Sequence, residues 1–322
     1  MNLIPNVHIT YRSDSAQLLL APLELNQPGF RSFLCTWILL TPEATVLIDC
    51  GVAGTYPALR RALASVARTF PDAHAPTLLL LTHIHLDHSG AVGLLARDYP
   101  DLRVYCWERA AKHLISPAKL WHATSATLGP EMAAAYGEPL PLPADRMVSR
   151  NELPPGWTVI DTPGHAPHHV SFIHGIGDIR VCFGGEACGT ISGRESAEWF
   201  TDSVVREGIR PATPPRYFPE VGRASIEKLA AADWDLYCAA HYGSTADRNL
   251  PTRALAQLDL WEKSIARWLG EGLTEDDMIA SLLDVDPELA NIRHYTDGDR
   301  TRETYFMRNS VRGFIGYLTA RA

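Results

Sequence analysis

Thr77-Leu78-Leu79-Leu80-Leu81-Thr82-His83-Ile84-His85-Leu86-Asp87-His88-Ser89-Gly90 runs from an apolar stretch straight into three imidazoles and a carboxylate. The aliphatic half has the length and continuity of a β-strand buried on both faces. In the extended chain leaving it, residues two apart point to the same side, so His83 and His85 can share one ion. Asp87 and His88 differ in parity and need a bend before they converge on a second. The chain has 13 histidines in 322 residues, too few for this density to be an accident of a polar loop. The carboxyl end of a buried strand is also where α/β sheets build their ligand sites.

Outward from this run the pattern alternates. Upstream, residues 17–20, 33–40 and 45–48 read as strands separated by Pro, Asn and Gly turn material. Residues 56–70 change period: Tyr56, Leu59, Leu63, Val66 and Phe70 share one helical face, with Arg60, Arg61 and Arg68 on others. Downstream, Ser89 is placed to cap a helix through Val92, Leu94 and Leu95, and residues 103–107 form the next strand. Strand, loop, helix, strand is the order of an α/β layered domain.

Residues 108–137 are helical in character, and 139–155 read as a long ordered loop rich in proline. Short strands are expected at 157–161, 170–174, 179–183 and 236–240, with a helix near 226–232. After about Asn249 only helical periodicity remains: Leu255, Leu258, Trp261 and Ile265, then Thr274-Glu275-Asp276-Asp277 as a helix start, then a last helix over 302–318. The expected organisation is one domain over 1–249 and a helical C-terminal extension over 250–322 packed on it.

The histidine run resembles the H-x-H-x-D-H signature of the metallo-β-lactamase superfamily, and further segments match in order. Val46-Leu47-Ile48-Asp49-Cys50-Gly51 is similar to the strand and Asp-x-Gly turn before that signature. Thr162-Pro163-Gly164-His165-Ala166-Pro167-His168-His169 is similar to the segment of the third histidine ligand. Phe183-Gly184-Gly185-Glu186-Ala187-Cys188-Gly189 resembles the turn with the bridging carboxylate, and Ala239-Ala240-His241-Tyr242-Gly243 the last ligand segment. Together they span about two-thirds of the chain. The resemblance implies an α/β fold of the αββα sandwich type with two metals at one edge.

By this resemblance His83, His85 and His165 hold the first metal, and Asp87, His88 and His241 the second. Glu186 takes the bridging position, where the family usually has Asp. Its extra methylene means that the backbone stands further back or that the carboxylate binds one metal only. Imidazole and carboxylate without thiolate suit two divalent ions, zinc first, with iron or manganese open. Such a pair holds a bridging hydroxide and polarises the substrate oxygen. Asp87 then has two roles, ligand and catalytic proton acceptor or orienter. His169 and Tyr242 are expected to support the ligands or touch substrate, with Tyr242 facing an oxyanion. His168 is as readily structural as functional. Trp121 and His122 lie in a helical insert placed either to cap the cleft or, more commonly for such aromatics, to pack, and Cys188 is more readily a packed side chain than a metal neighbour.

The rest of the sequence narrows the class. Hydrophobic residues make up 46% and charged residues 20%, the balance of a globular protein, and the net charge of −8 with no basic stripe argues against nucleic acid. No apolar run near the motif is long enough to span a bilayer, and the first residues lack a signal-peptide pattern. A cytoplasmic enzyme acting on a small molecule, with no membrane partner, is the expectation. Four of the six cysteines lie in strand-like segments and read as buried thiols. The reading is therefore a dinuclear hydrolase of an ester-like bond (thioester, lactone or related), resembling glyoxalase II-type and lactonase-type members. A diiron redox protein and a non-catalytic metal-binding or regulatory member of the same fold are the alternatives. The last helix is open to three roles: a lid, a homodimer surface or a stabiliser.

Overall fold

A computed structural model describes residues 7–23, 25, 34–191, 208–215, 217–241 and 243–321. Tyr242 lies outside the described residues. The strands are β1 His8–Arg12, β2 Gln17–Leu23, β3 Leu34–Leu40, β4 Thr45–Ile48, β5 Pro76–Leu80, β6 Arg103–Tyr105, β7 Thr158–Asp161, β8 Val170–Ile176, β9 Ile179–Gly185, β10 Thr190–Ile191, β11 Ile209–Arg210, β12 Leu236–Ala239 and β13 Ser244–Thr245. The α-helices are α1 Tyr56–Thr69, α2 Leu86–Ser89, α3 Val92–Asp98, α4 Ala111–Ile115, α5 Ala118–Leu128, α6 Pro130–Tyr136, α7 Pro219–Ala231, α8 Leu250–Gly270, α9 Glu275–Val285 and α10 Asp297–Thr319.

Six strands form one sheet in the order β1-β2-β3-β4-β5-β6, and five form a second in the order β13-β12-β9-β8-β7. The side chains explain why these sheets stack. Along β3, β4 and β5, Trp37, Leu39, Val46, Ile48, Leu78 and Leu80 face Val170, Phe172, Val181, Phe183 and Cys238 of the other sheet. The alternate residues Ile38, Leu40, Leu47 and Leu79 pack on α1 and α3 through Leu59, Leu63, Val66 and Leu95. On the far side, Ile173, Cys182, Tyr237 and Ala239 meet Ile226, Leu229, Leu258 and Trp261 of α7 and α8. Helix, sheet, sheet, helix is the αββα sandwich. Strands buried on both faces need apolar residues at every position, which is why Leu78 to Leu81 reads as an unbroken run.

The C-terminal helices α8, α9 and α10 share the core of the second sheet through Trp261, Ile265, Met278, Leu282, Val311 and Phe314. Thr274 caps α9 by accepting from the Asp277 N–H, as its sequence implied. Ser89 is not the cap of α3. It closes α2, with its hydroxyl donating to the carbonyls of Ile84 and His85, while Ala91 occupies the cap position. The short turn of α2 supplies the bend that brings Asp87 and His88 to one place. Among the described residues, no helix is long and apolar enough to cross a membrane.

Candidate metal centre

Every candidate ligand leaves the same edge of the sandwich. His83 to His88 follow β5, His165 lies between β7 and β8, Glu186 follows β9 and His241 follows β12. The parallel pairing of β9 with β12 sets the last two side by side. From the facing sheet, the Trp37 indole donates to the Ala239 carbonyl at 2.8 Å and the Cys35 thiol to the Ala240 carbonyl at 3.1 Å. Those two contacts anchor the residues leading to His241.

Two groups result. In the first, His85 Nδ1 stands 2.9 Å from His83 Nε2 and 2.9 Å from His165 Nε2. In the second, His88 Nε2 is 3.5 Å from Asp87 Oδ2, and His241 Nε2 is 3.9 Å from the same oxygen. Glu186 lies between them. Its Oε2 is 3.5 Å from both His83 Nε2 and His165 Nε2, while Oε1 is 3.1 Å from His241 Nε2 and 3.5 Å from His88 Nε2. One carboxylate oxygen faces each group.

Contacts behind the rings determine which nitrogens point inward. Asp49 accepts from the Thr82 N–H at 2.8 Å and from the Thr82 hydroxyl, and its Oδ2 takes the Nδ1–H of His88 at 3.0 Å. With its hydroxyl proton given to Asp49, Thr82 accepts from His83 Nδ1 at 3.2 Å. His165 Nδ1 donates to the Ala212 carbonyl at 3.0 Å. Each contact commits the outer nitrogen and leaves Nε2 as the atom directed at the centre. Lone pairs on two of these, in His83 and His165, meet at His85 Nδ1, and one proton there cannot be directed at both. His88 Nε2 and Glu186 Oε2 are buried without a hydrogen-bond partner among the described residues. Opposed lone pairs and orphaned buried polar atoms are what a cation would resolve, so these residues fit divalent ions.

Charge agrees with geometry. Burial, reinforced by neighbouring imidazoles, holds His83 well below the usual histidine range and brings His85 to about 3, so both are neutral and able to ligate at neutral pH. Burial alone would raise Glu186, but His165, His88 and His83 hold it far down as a carboxylate. His88 is also opposed by burial, yet Glu186, Asp87 and Asp49 raise it well above its ordinary value. In the metal-free chain His88 therefore carries a second proton, and a cation held among the three carboxylates would take that proton's place.

His169 is brought to the centre but faces it from behind. Its Nε2 accepts from the Glu186 N–H at 3.1 Å, and its Nδ1–H donates to the Thr162 hydroxyl at 2.9 Å. Thr162 passes the chain of bonds to Ser171 and on to the Gly184 carbonyl. Burial, then His165, keeps His169 neutral with a pKa of about 3. His168 accepts from the Ile84 N–H at 3.4 Å, and Cys188 is a packed thiol in the helix-facing core. All six cysteines are buried thiols outside any disulfide. Trp121 packs against the helix-side core and His122 is exposed.

Sequence alone does not single out three further contributors. Asp49 and Thr82 flank recognisable segments, and the Asp-x-Gly turn is their signal. Tyr136 of α6 has none: its buried phenol is pushed up by burial and by the nearby charges of Asp87 and Glu186. Asp49→Asn tests the support of His88. Asp49 has φ of 56°, a left-handed conformation that Asn also tolerates, so the backbone stays while the charged acceptor is lost. Metal affinity, read by chelator competition, is expected to fall about 10–100-fold. An unchanged affinity would show that His88 needs no anionic support.

A two-sheet sandwich with imidazole–carboxylate groups at one edge defines a metallo-hydrolase architecture. The model of the metallo-beta-lactamase superfamily matches residues 31–241, and the chain belongs to that superfamily. It is 26% identical over 221 residues to "Probable metallo-hydrolase YflN" of Bacillus subtilis, covering 62% of this chain and 76% of that one. A metallo-beta-lactamase family protein from Thermus thermophilus superposes with a TM-score of 0.58 at 20% identity, over 94% of this chain and 93% of its own. An archaeal superfamily protein from Sulfolobus tokodaii does so with 0.55 at 21% identity, over 74% and 85%. At such identities the structural likeness speaks for the fold.

Proposed function

We propose that the chain is a metal-dependent hydrolase that holds two divalent ions and cleaves an ester-like bond, a thioester or lactone, in a small molecule. The observation that carries this reading is Glu186, with one oxygen directed at each nitrogen group. His83, His85 and His165 would hold one ion, and Asp87, His88 and His241 the other. Zinc suits this donor set best, with manganese or iron admitted. Bound there, the ions would supply Lewis-acid polarisation and a water of lowered pKa.

The chain's own groups supply the rest. The Asp87 side chain is 19% exposed against 5% for Glu186, so it is the carboxylate of this centre that substrate and water can reach. It would orient the attacking water or accept its proton. Burial works against an ionised Asp87, but in the metal-free chain the contact with His88 outweighs it and holds the carboxylate below its ordinary range. Tyr136, buried on α6, remains protonated through burial and the charges of Asp87 and Glu186. The substrate class is drawn from analogy with glyoxalase II-type and lactonase-type members of the fold.

The test is to quantify bound metal after reconstitution with zinc, manganese or iron, then to assay thioesters, lactones and phosphodiesters. Turnover of a thioester or lactone is expected. No turnover across the panel with two metals bound would contradict the hydrolase reading, and two irons with oxygen consumption would favour the redox alternative.

A further inference from the structure

Ala212 lies in no helix or sheet, yet its carbonyl receives the Nδ1–H of His165 at 3.0 Å. Where that carbonyl points depends on segment 209–213, and the C-terminal helices fix this segment residue by residue. The Ile209 N–H donates to Glu288 at 3.2 Å, and the Ile209 carbonyl accepts from Gln257 of α8 at 2.7 Å. Arg210 pairs with Glu303 of α10 at 3.1 Å, and its guanidinium lies 5.1 Å from the centre of the Phe306 ring. Glu303 is itself held by Arg302, which pairs at 2.8 Å with Asp299, all three of them buried.

The grip is tightest on either side of Ala212. The Ser310 hydroxyl donates to the Pro211 carbonyl at 2.6 Å and accepts from the Thr213 N–H at 3.5 Å. The Thr213 hydroxyl donates in turn to the Ser310 carbonyl at 3.0 Å. One residue of α10 therefore holds both peptide neighbours of Ala212. The approach is close enough that a Cβ on Gly313 would stand 2.1 Å from the Thr213 carbonyl oxygen. Glu303, Phe306, Ser310 and Gly313 recur at spacings of three and four, so this contact is one continuous face of α10.

We propose that α10 is a positioning element of the metal centre, acting through Ser310 and Thr213 on Ala212, and through Ala212 on His165. A correctly placed carbonyl keeps the proton of His165 on Nδ1 and its Nε2 lone pair facing His83 and His85. A displaced one releases both the tautomer and the ring orientation. The inference rests on the reading of the three-histidine group as a cation site. It assigns the extension a role in the reaction centre that packing alone would not require.

The experiment titrates metal-free chain with Zn(II) or Co(II) against a chelating indicator and measures metal-free melting temperatures in parallel. The variants are Ser310→Ala and Thr213→Val, with Thr213→Ser as the conservative replacement. Arg312→Ala is the control for the helix itself, since Arg312 is half exposed and pairs with Glu275 on α9. The wild type is expected to bind in two steps. Ser310→Ala and Thr213→Val should weaken one step about 10–100-fold and spare the other, while Thr213→Ser and Arg312→Ala bind as the wild type does. Two unchanged steps in both variants would overturn the proposal, as would equal weakening of both steps that follows the metal-free stability. A wild type that binds no ion would instead overturn the metal reading, and this inference with it.

Discussion

Glu186→Ala is expected to lower hydrolytic turnover about 1,000-fold, the rate equivalent of several kcal/mol of metal-dependent transition-state stabilisation. Among the described residues, the Glu186 carboxylate directs one oxygen at each nitrogen group, so its loss removes the shared anion, leaving Asp87 as the carboxylate of the second group and none in the first. The sharper variant is Glu186→Asp. By the resemblance to the superfamily, aspartate is the usual residue at this position, which would have it preserve or improve activity. Here the side chain would be shorter by one methylene, about 1.5 Å, while its partners stay 3.1 to 3.5 Å from the present oxygens. Misplacement on the order of 1 Å can cost about 100-fold in rate. Glu186→Asp is therefore expected to lose about two powers of ten in kcat. Wild-type kcat in that variant would mean that the two-oxygen span is not what the centre uses.

The second large effect is expected at Gly185. Its φ of +57° is left-handed, and a Cβ there would stand 2.3 Å from His169 Nε2 and 3.1 Å from Thr82 Cβ. Both neighbours are buried and already committed, His169 to the Glu186 N–H and Thr82 to Asp49. Gly185→Ala combines left-handed strain of about 1–2 kcal/mol with overpacking of about 1–3 kcal/mol, so a loss of about 3 kcal/mol is expected from denaturant unfolding. Gly272→Ala isolates the first contribution. Gly272 has φ of +77° with open space around it, and its alanine should lose only about 1–2 kcal/mol. Equal losses at the two positions would mean that the packing around His169 yields easily. Because His169 holds the Glu186 backbone, weakened metal binding should accompany the instability at Gly185 and be absent at Gly272.

These two positions mark the limits of what is legible in the sequence. The sandwich can be read because strands covered on both sides leave unbroken apolar runs, as at Leu78 to Leu81, and because α1 keeps one apolar face from Tyr56 to Val66. The histidine run can be read because ligands for one ion must be close, and here they are close in sequence as well. Which nitrogen each ring presents cannot be read. That depends on Asp49, Thr82 and the Ala212 carbonyl, whose partners lie between 1 and 47 positions away along the chain. Ser89 is misplaced by sequence because a serine ahead of a helix and a serine closing a turn look the same locally. Hydrogen bonds to Ile84 and His85 decide between them. The turn in question is α2, and without it Asp87 and His88 would face opposite sides.

The extension is harder still. Its helical periodicity is plain from Leu255 onward, and packing on the second sheet accounts for most of its apolar residues. Nothing local distinguishes Ser310 from any other helical serine. Its importance comes from a segment 97 to 99 positions earlier in the chain. Tyr136 is similar: only the fold brings its phenol near Asp87.

The central claim is that two groups of ligands, divided by one carboxylate, hold two ions. Native mass spectrometry of the zinc-saturated chain tests it most directly, by counting ions on the wild type, His85→Ala and His241→Ala. The account predicts two ions on the wild type and one on each variant, because each substitution disables a different group. A single ion on the saturated wild type, or two ions retained by both variants, would contradict it.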